Sequence, residues 1–169
     1  GMPVYVCANL PYYITSPIVM SLLESGGIFE AVTVMIQKEV ADRFCAGAGS
    51  ADYGAITLAV NYYSEVEKCF NVAPGNFMPP PKVTSSVIRM NIRKEPPVSV
   101  RDSENMFRII KYAFACRRKT LVNALSAKTG IPKTEIEKAV TDCGFEPTVR
   151  AERLSVTDFA ALSDRLITQ

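Results

Sequence analysis

The sequence has no histidine and no tryptophan, and no apolar run in it approaches the roughly eighteen residues that a membrane-spanning helix requires. Without histidine, nucleophile schemes of the Ser-His or Cys-His kind are excluded, and a zinc site of mixed Cys-His type is excluded with them. The first residues lack the charged and apolar regions of a secretory signal, so the cytoplasm is the expected compartment and no membrane partner is expected. Cysteine occurs five times, at Cys7, Cys45, Cys69, Cys116 and Cys143. An odd count, wide spacing and apolar neighbours argue against a disulfide framework or a metal cluster and for buried free thiols.

Charge of one sign is scarce overall but unevenly spread. The net charge is +2, yet residues 1–92 carry five basic and seven acidic groups while residues 93–169 carry fourteen and ten. The positive excess in the second part suits an anionic partner, and it also suits an ordinary solvated helical surface. With 169 residues of which 48% are hydrophobic, the chain can bury one substantial core, or a modest core with a small satellite domain.

Val4 to Ala8 is a short apolar run with β-branched and aromatic members and reads as a buried strand. Asn9 to Tyr13 follow as a loop, and Ser16 then Pro17 read as the cap and first turn of a helix that stops at Gly26-Gly27. Residues 31–36 form a second buried-type strand, with helices near 38–46 and 52–63 on either side of the glycines in GAGSADYG. Glu65 to Val72 and Val83 to Arg93 alternate apolar and polar residues and are expected to pair antiparallel around the rigid Pro79-Pro80-Pro81 connection. Beyond a boundary near 94–102 the pattern is helical only: about 103–128, 132–143 ending at Gly144, and 156–167 opening with Ser155 and Asp158 as a capping box. An α/β layer followed by a small helical domain is indicated.

Asn9-Leu10-Pro11-Tyr12 lies just after a strand, where ligands meet the carboxyl ends of strands in open α/β sheets. Its groups suit an aromatic amine. The lone pair of such a nitrogen is delocalised into the ring. Two acceptors on its two N–H groups, the Asn9 side-chain carbonyl and the backbone carbonyl of Leu10 or Pro11, would pull it towards a tetrahedral shape. Tyr12 would offer a π-face to a base taken out of its stack. An Asn-Leu-Pro-Tyr turn with no such role would carry the same residues.

The stretch NLPYYITSPI resembles the target-base motif of the ribosomal RNA adenine dimethyltransferases. In order after it, MIQKEVADRFCA, DYGAITLAVNYY, NFMPPPKVTSSVIRM, FACRRKTLVNAL and RAERLSVTDFAAL resemble successive blocks of the same family. The resemblance implies the carboxy-terminal half of a Rossmann-like methyltransferase domain over 1–95, with about four strands, and a helical RNA-recognition domain over 96–169. It implies Asn9, Leu10, Pro11 and Tyr12 as catalytic residues, with Tyr12 and Phe77 on the two faces of the adenine. S-adenosylmethionine is implied as methyl donor, touched by Asn9 and Pro11. Small-subunit rRNA or a pre-ribosomal subunit is implied as partner, dimethylated on two adjacent adenines. A non-catalytic RNA- or ribosome-binding module and a DNA adenine methyltransferase are the competing readings.

Taken as one helix, residues 103–128 place Phe107, Ile110, Phe114, Leu121 and Leu125 on one stripe, with Arg118 about 20° from Phe107 and Arg117 beside it. Arg117, Arg118, Lys119, Arg108, Lys111 and Lys82 are the candidate phosphate contacts, against the plainer alternative of an ion pair or a solvated face. The family's pattern puts a strand, a glycine-rich turn and an acidic ribose-binding residue before the target-base motif, and only residues 1–8 stand there in this sequence. The glycines of 47–54 follow a helix and have the wrong spacing for such a turn. An incomplete donor site, negligible turnover by this chain alone, and self-association through the exposed edge of strand 4–8 are therefore expected.

Overall fold

The computed structural model describes residues 2–167. Contacts among them separate two compact units: one holds the chain up to Ala46 together with Ala59–Pro96, the other holds Gly47–Leu58 and the chain from Pro97 onward. Residues 47–58 thus belong with the helices, a departure from an uninterrupted first domain over 1–95.

The first unit is built on a four-stranded sheet of order β1-β2-β4-β3. Strand β1 (Tyr5–Asn9) runs parallel to β2 (Ala31–Gln37), β2 runs antiparallel to β4 (Ser85–Ile92), and β4 runs antiparallel to β3 (Ser64–Val72). Pairing on both sides explains the composition of β2, whose Val32, Val34 and Ile36 are buried while Thr33 and Met35 are half-buried. Helix α1 (Thr15–Leu23) contributes Val19 and Leu23 to the core. Helix α2 (Lys38–Phe44) packs against β2, β3 and β4, with Ala41 and Phe44 buried. Full burial of Phe44 contributes roughly 2–3 kcal/mol. Helix α3 (Ala55–Tyr63) runs straight into β3.

Two expectations are corrected here. Strand β1 is not buried: among the described residues β2 is its one partner, its residues alternate between exposed and half-buried, and Val4 and Tyr5 are 46% and 62% exposed. Helix α1 does not open at Ser16-Pro17 but at Thr15, after a single 3-10 turn at Tyr12–Ile14, because the Thr15 hydroxyl bonds back to the Pro11 carbonyl at 3.1 Å.

The second unit is helical: α4 (Ser103–Phe114), α5 (Leu121–Thr129), α6 (Lys133–Asp142) and α7 (Val156–Arg165). Side chains cap three of these starts. Asp102 accepts from Asn105 N–H at 2.9 Å, Thr120 accepts from Asn123 N–H at 3.3 Å, and Ser155 and Asp158 form the expected reciprocal box. Gly144 ends α6 at φ +86°, a left-handed conformation that lets Phe145 N–H reach the Val140 carbonyl at 3.2 Å.

The single helix expected over 103–128 is broken. Residues 115–118 form a turn, and Thr120 in an extended conformation caps a new helix whose first N–H bonds to the Val149 carbonyl at 2.8 Å. The buried side of α4 is Met106, Ile109, Ile110 and Ala113, so the stripe through Phe107 and Phe114 to Leu121 and Leu125 does not exist as one surface. The five thiols are free as expected, but none is buried: Cys7 and Cys69 are exposed and the other three half-buried.

Residues 47–58 are tied into this unit by backbone and ring contacts. Gly49 N–H donates to the Glu152 carbonyl at 2.7 Å, and Gly49 has φ +84° with Arg153 so close that a Cβ would meet it at 3.3 Å. Tyr53 donates its hydroxyl to the Leu154 carbonyl at 2.9 Å and sets its ring edge-on against Phe114. Burial, with a smaller contribution from the Asp158 charge, pushes the Tyr53 hydroxyl up to about 12. In the unfolded chain it ionises near its ordinary value of about 10. The unfolded state therefore sheds its proton first, and the stabilisation is complete below that value and lost as pH rises through about 12. Denaturant unfolding across this alkaline window should show a loss on the order of 2 kcal/mol that Tyr53→Phe removes; an equal loss in the variant would contradict the assignment.

Candidate active site

The carboxyl end of β1 delivers Asn9 to the surface and then turns sharply. Leu10 N–H donates to the Met35 carbonyl at 3.2 Å, extending the pairing with β2 by one residue, and the Leu10 side chain is buried beneath the turn. Pro11, at φ −60° and ψ 132°, directs the chain into the 3-10 turn that carries Tyr12. Asn9 is exposed and Tyr12 half-buried.

The two backbone carbonyls considered as acceptors are not equivalent. That of Pro11 accepts both Ile14 N–H at 3.2 Å and the Thr15 hydroxyl at 3.1 Å, which occupies both lone pairs. That of Leu10 meets no donor among the described residues. Leu10 is therefore the acceptor left open beside Asn9.

Tyr12 is held from across the sheet. Its hydroxyl and the Ser85 Oγ lie 2.8 Å apart, and Ser85, fully buried at the start of β4, is registered opposite Gln37 at the end of β2. Nothing in the sequence signalled this partner, since a hydroxyl pair 73 residues apart leaves no local pattern. Phe77 arrives from the loop after β3, where its N–H bonds to the Pro74 carbonyl at 3.2 Å.

Together Asn9, Leu10, Pro11, Tyr12, Phe77, Pro79 and Pro81 line a cavity of about 330 Å³. That is near the lower end of small-ligand pockets, roughly 300 to 1,000 Å³, and suits one planar base. The lining holds no charged side chain. Its polar equipment is the Asn9 amide, the Leu10 carbonyl and a Tyr12 hydroxyl already engaged. A larger cavity, about 590 Å³, lies among Glu24, Glu30, Tyr62, Tyr63, Arg93 and Lys94 near the start of β2. Its Arg93 is bound to Glu65 at 2.8 Å and to the Asn61 carbonyl at 3.2 Å, and it lies away from the carboxyl end of β1, so chemistry favours the smaller cavity.

S-adenosylmethionine requires acceptors for its ribose hydroxyls and its α-amino group and a slot for its purine. One amide and one open carbonyl, with no carboxylate, match at most one edge of that molecule. The described residues around Asn9 and Pro11 do not fit the whole donor.

The remaining candidates separate. Arg117 donates from one amino group to the carbonyls of Ala51 at 2.7 Å and Tyr53 at 3.0 Å, so it straps residues 47–58 into the helical unit. Arg118, Lys119, Lys111 and Lys82 are exposed. Arg108 is exposed and donates to Asn105 Oδ1 at 2.7 Å. Lys38 begins α2 and with Lys68 grips Asp42, whose carboxyl these two ammonium groups hold below the usual range.

A family model described as ribosomal RNA adenine dimethylase matches residues 1–168. The ribosomal RNA small subunit methyltransferase A of Lachnoclostridium phytofermentans is 46% identical over 97% of this chain and 57% of its own length. The protein of the same name from Geobacillus thermodenitrificans is 47% identical over 96% and 56%. Among solved structures, a dimethyladenosine transferase from Plasmodium falciparum superposes with a TM-score of 0.81 at 24% identity, covering 96% of this chain and 66% of that one. The 23S rRNA methyltransferase ErmE superposes with a TM-score of 0.68 at 26% identity, covering 97% and 65%. The sheet unit is thus part of a Rossmann-like methyltransferase sheet, and the chain spans a little over half the length of these curated relatives.

Tyr12→Phe keeps the ring but leaves the buried Ser85 hydroxyl without this partner. Chemical denaturation should show a loss of roughly 1–2 kcal/mol, largely recovered when Ser85→Ala is added; additive losses would mean that the bond does not hold the ring.

Proposed function

Since the chain belongs to the ribosomal RNA adenine dimethylase family, we propose that it supplies the acceptor side of an rRNA adenine dimethyltransferase, the part that grips the target base. The observation that carries this is the juxtaposition of an exposed Asn9 amide, an open Leu10 carbonyl and the Tyr12 ring on one uncharged cavity. The whole protein would methylate two adjacent adenines of small-subunit rRNA, in the pre-ribosomal subunit and in the cytoplasm. Among the described residues no helix is long and apolar enough to cross a membrane.

In this reading an adenine leaves its stack and enters between Tyr12 and Phe77. Stacking returns about 1–3 kcal/mol, comparable with the few kcal/mol lost on extrusion. The Asn9 Oδ1 accepts one amino hydrogen and the Leu10 carbonyl the other. Both bonds favour a pyramidal nitrogen whose lone pair is released from the ring and faces out of the base plane. Being neutral, Asn9 does not hold the cation that forms when the nitrogen is alkylated, and its proton passes to solvent because the cavity contains no base. In the whole protein S-adenosylmethionine would supply the methyl group, its carbon–sulfur bond breaking to leave a neutral thioether. Asn9 and Pro11 would touch one edge of the donor, and these 169 residues alone would bind it weakly and turn over negligibly.

The exposed cations Arg118, Lys119, Arg108, Lys111 and Lys82 are assigned to RNA phosphates. Arg117 is assigned primarily to holding residues 47–58. The open edge of β1, with Val4 and Tyr5 exposed, is assigned to strand pairing with a second copy of the chain.

In the whole protein that contains this stretch, Asn9→Ala should lower kcat for adenine methylation by about 100- to 1,000-fold while RNA affinity stays within about 3-fold. Unchanged turnover would overturn the acceptor assignment, and loss of affinity instead of kcat would favour a plain RNA-binding module. Micromolar donor binding by the 169-residue chain in calorimetry would refute the weak-donor reading.

A further inference from the structure

We propose that the helical unit contains a phosphate-binding pocket of its own, formed by Arg108, Lys128 and Tyr112 and oriented from beneath by Asn105. A cavity of about 310 Å³ opens between α4, the end of α5 and the end of α7, lined by these four residues with Thr129 and Leu166 among others. Among the described residues it holds two cationic side chains and no carboxylate. Neither Arg108 nor Lys128 takes part in the ion pairs found among the described residues. Two positive groups facing one concave space repel each other unless an anion enters between them.

The support beneath Arg108 distinguishes this pocket from a solvated basic surface. Asn105 lies on the buried side of α4 with Met106 and Ile109 and is only 4% exposed. A polar side chain in that position is costly unless it is bonded. Its Nδ2 donates to the Oγ of fully buried Ser163 at 3.1 Å, and its Oδ1 accepts from Arg108 at 2.7 Å. The guanidinium is thereby oriented by a buried amide while its other N–H groups stay available, which reduces the entropy lost on gripping an anion.

The volume admits a phosphate together with part of an attached sugar, and Tyr112 adds a hydroxyl and a ring wall. The shared chemistry is a phosphate group, carried either by an RNA backbone or by a free phosphomonoester. The RNA form of the ligand rests on the function proposed above, whereas the phosphate site does not.

The test is titration of the protein with inorganic phosphate and with adenosine 5′-monophosphate, followed by amide and guanidinium NMR resonances, beside binding of a labelled single-stranded RNA across a salt series. Saturable shifts of the Asn105 side-chain amide and the Arg108 Nε are expected. Arg108→Gln and Lys128→Gln should each weaken binding about 5- to 10-fold and lower the RNA salt slope by about 0.7. Lys138→Gln, an exposed lysine of the same unit outside the lining, should leave the shifts unchanged. Weakening of RNA alone identifies the backbone as the source, and weakening of the small phosphates alone identifies a free ligand. Both ligands binding the two variants as tightly as the unaltered protein, or neither moving these resonances, overturns the pocket. Asn9→Ala should leave the inorganic phosphate affinity and its Arg108 resonance shift intact, so failure of the adenine-gripping assignment is read separately.

Discussion

Pairing of β1 with β2 up to Leu10 N–H fixes where the chain must turn, and the Asn9–Tyr12 side of the cavity follows from that one constraint. Once Leu10 is pinned to Met35, Pro11 can only leave the sheet in the direction its ring allows. Its carbonyl is then consumed by Ile14 and Thr15 as α1 begins. The Leu10 carbonyl stays open because the strand pairing has just ended and the helix has not started. Tyr12 follows at once, and its bond to Ser85 reaches over β2 to β4, so this side of the cavity is braced by the sheet, while Phe77, Pro79 and Pro81 come from the loop after β3.

The legible parts of this chain were those governed by short-range periodicity and capping. The alternation in 65–72 and 83–93, the apolar run in 31–36 and the Ser155/Asp158 box each encode their geometry within a few residues, and each forms as read. Long-range competition decided the rest. A helical period continues through RRKTLVNAL, but Thr120 offers a capping hydroxyl and Val149 an acceptor, and together they outweigh one more turn of helix. The composition of Val4–Ala8 suits burial, yet composition carries no record of which strands lie beside it. At the candidate site, the residue types of Asn9, Leu10, Pro11 and Tyr12 were readable, while the choice between two carbonyls and the role of Ser85 required coordinates.

Arg117 illustrates how one of two adjacent positive charges takes on a structural bond that the other does not share. From sequence it is indistinguishable from Arg118, yet its amino group bridges the carbonyls of Ala51 and Tyr53, and those residues carry the Tyr53 ring onto Phe114. A guanidinium with two backbone acceptors is foremost a structural strap, and its removal would loosen residues 47–58 before it altered any contact with an anion. Arg108 differs because its bond to Asn105, the one it makes among the described residues, orients it without exhausting it.

The uncharged character of the Asn9 cavity places a demand on the rest of the protein. A pocket with no cation gains nothing from the polyanionic character of RNA, and in the proposed reading the stacking on Tyr12 and Phe77 would roughly cancel the cost of extruding a base. In the proposed reading, net affinity must come from groups that meet phosphates, and the positive excess of residues 93–169 is where such groups are concentrated. Binding energy collected there would be available to hold an adenine in a geometry it would not adopt unaided, with its amino nitrogen pulled out of conjugation by two acceptors. A cation in the Asn9 cavity would add affinity for RNA at the site itself but oppose the positive charge that develops on the alkylated nitrogen, whereas a carboxylate there would stabilise that cation and retard loss of its proton. Separating affinity from chemistry in this way lets the reacting end stay neutral.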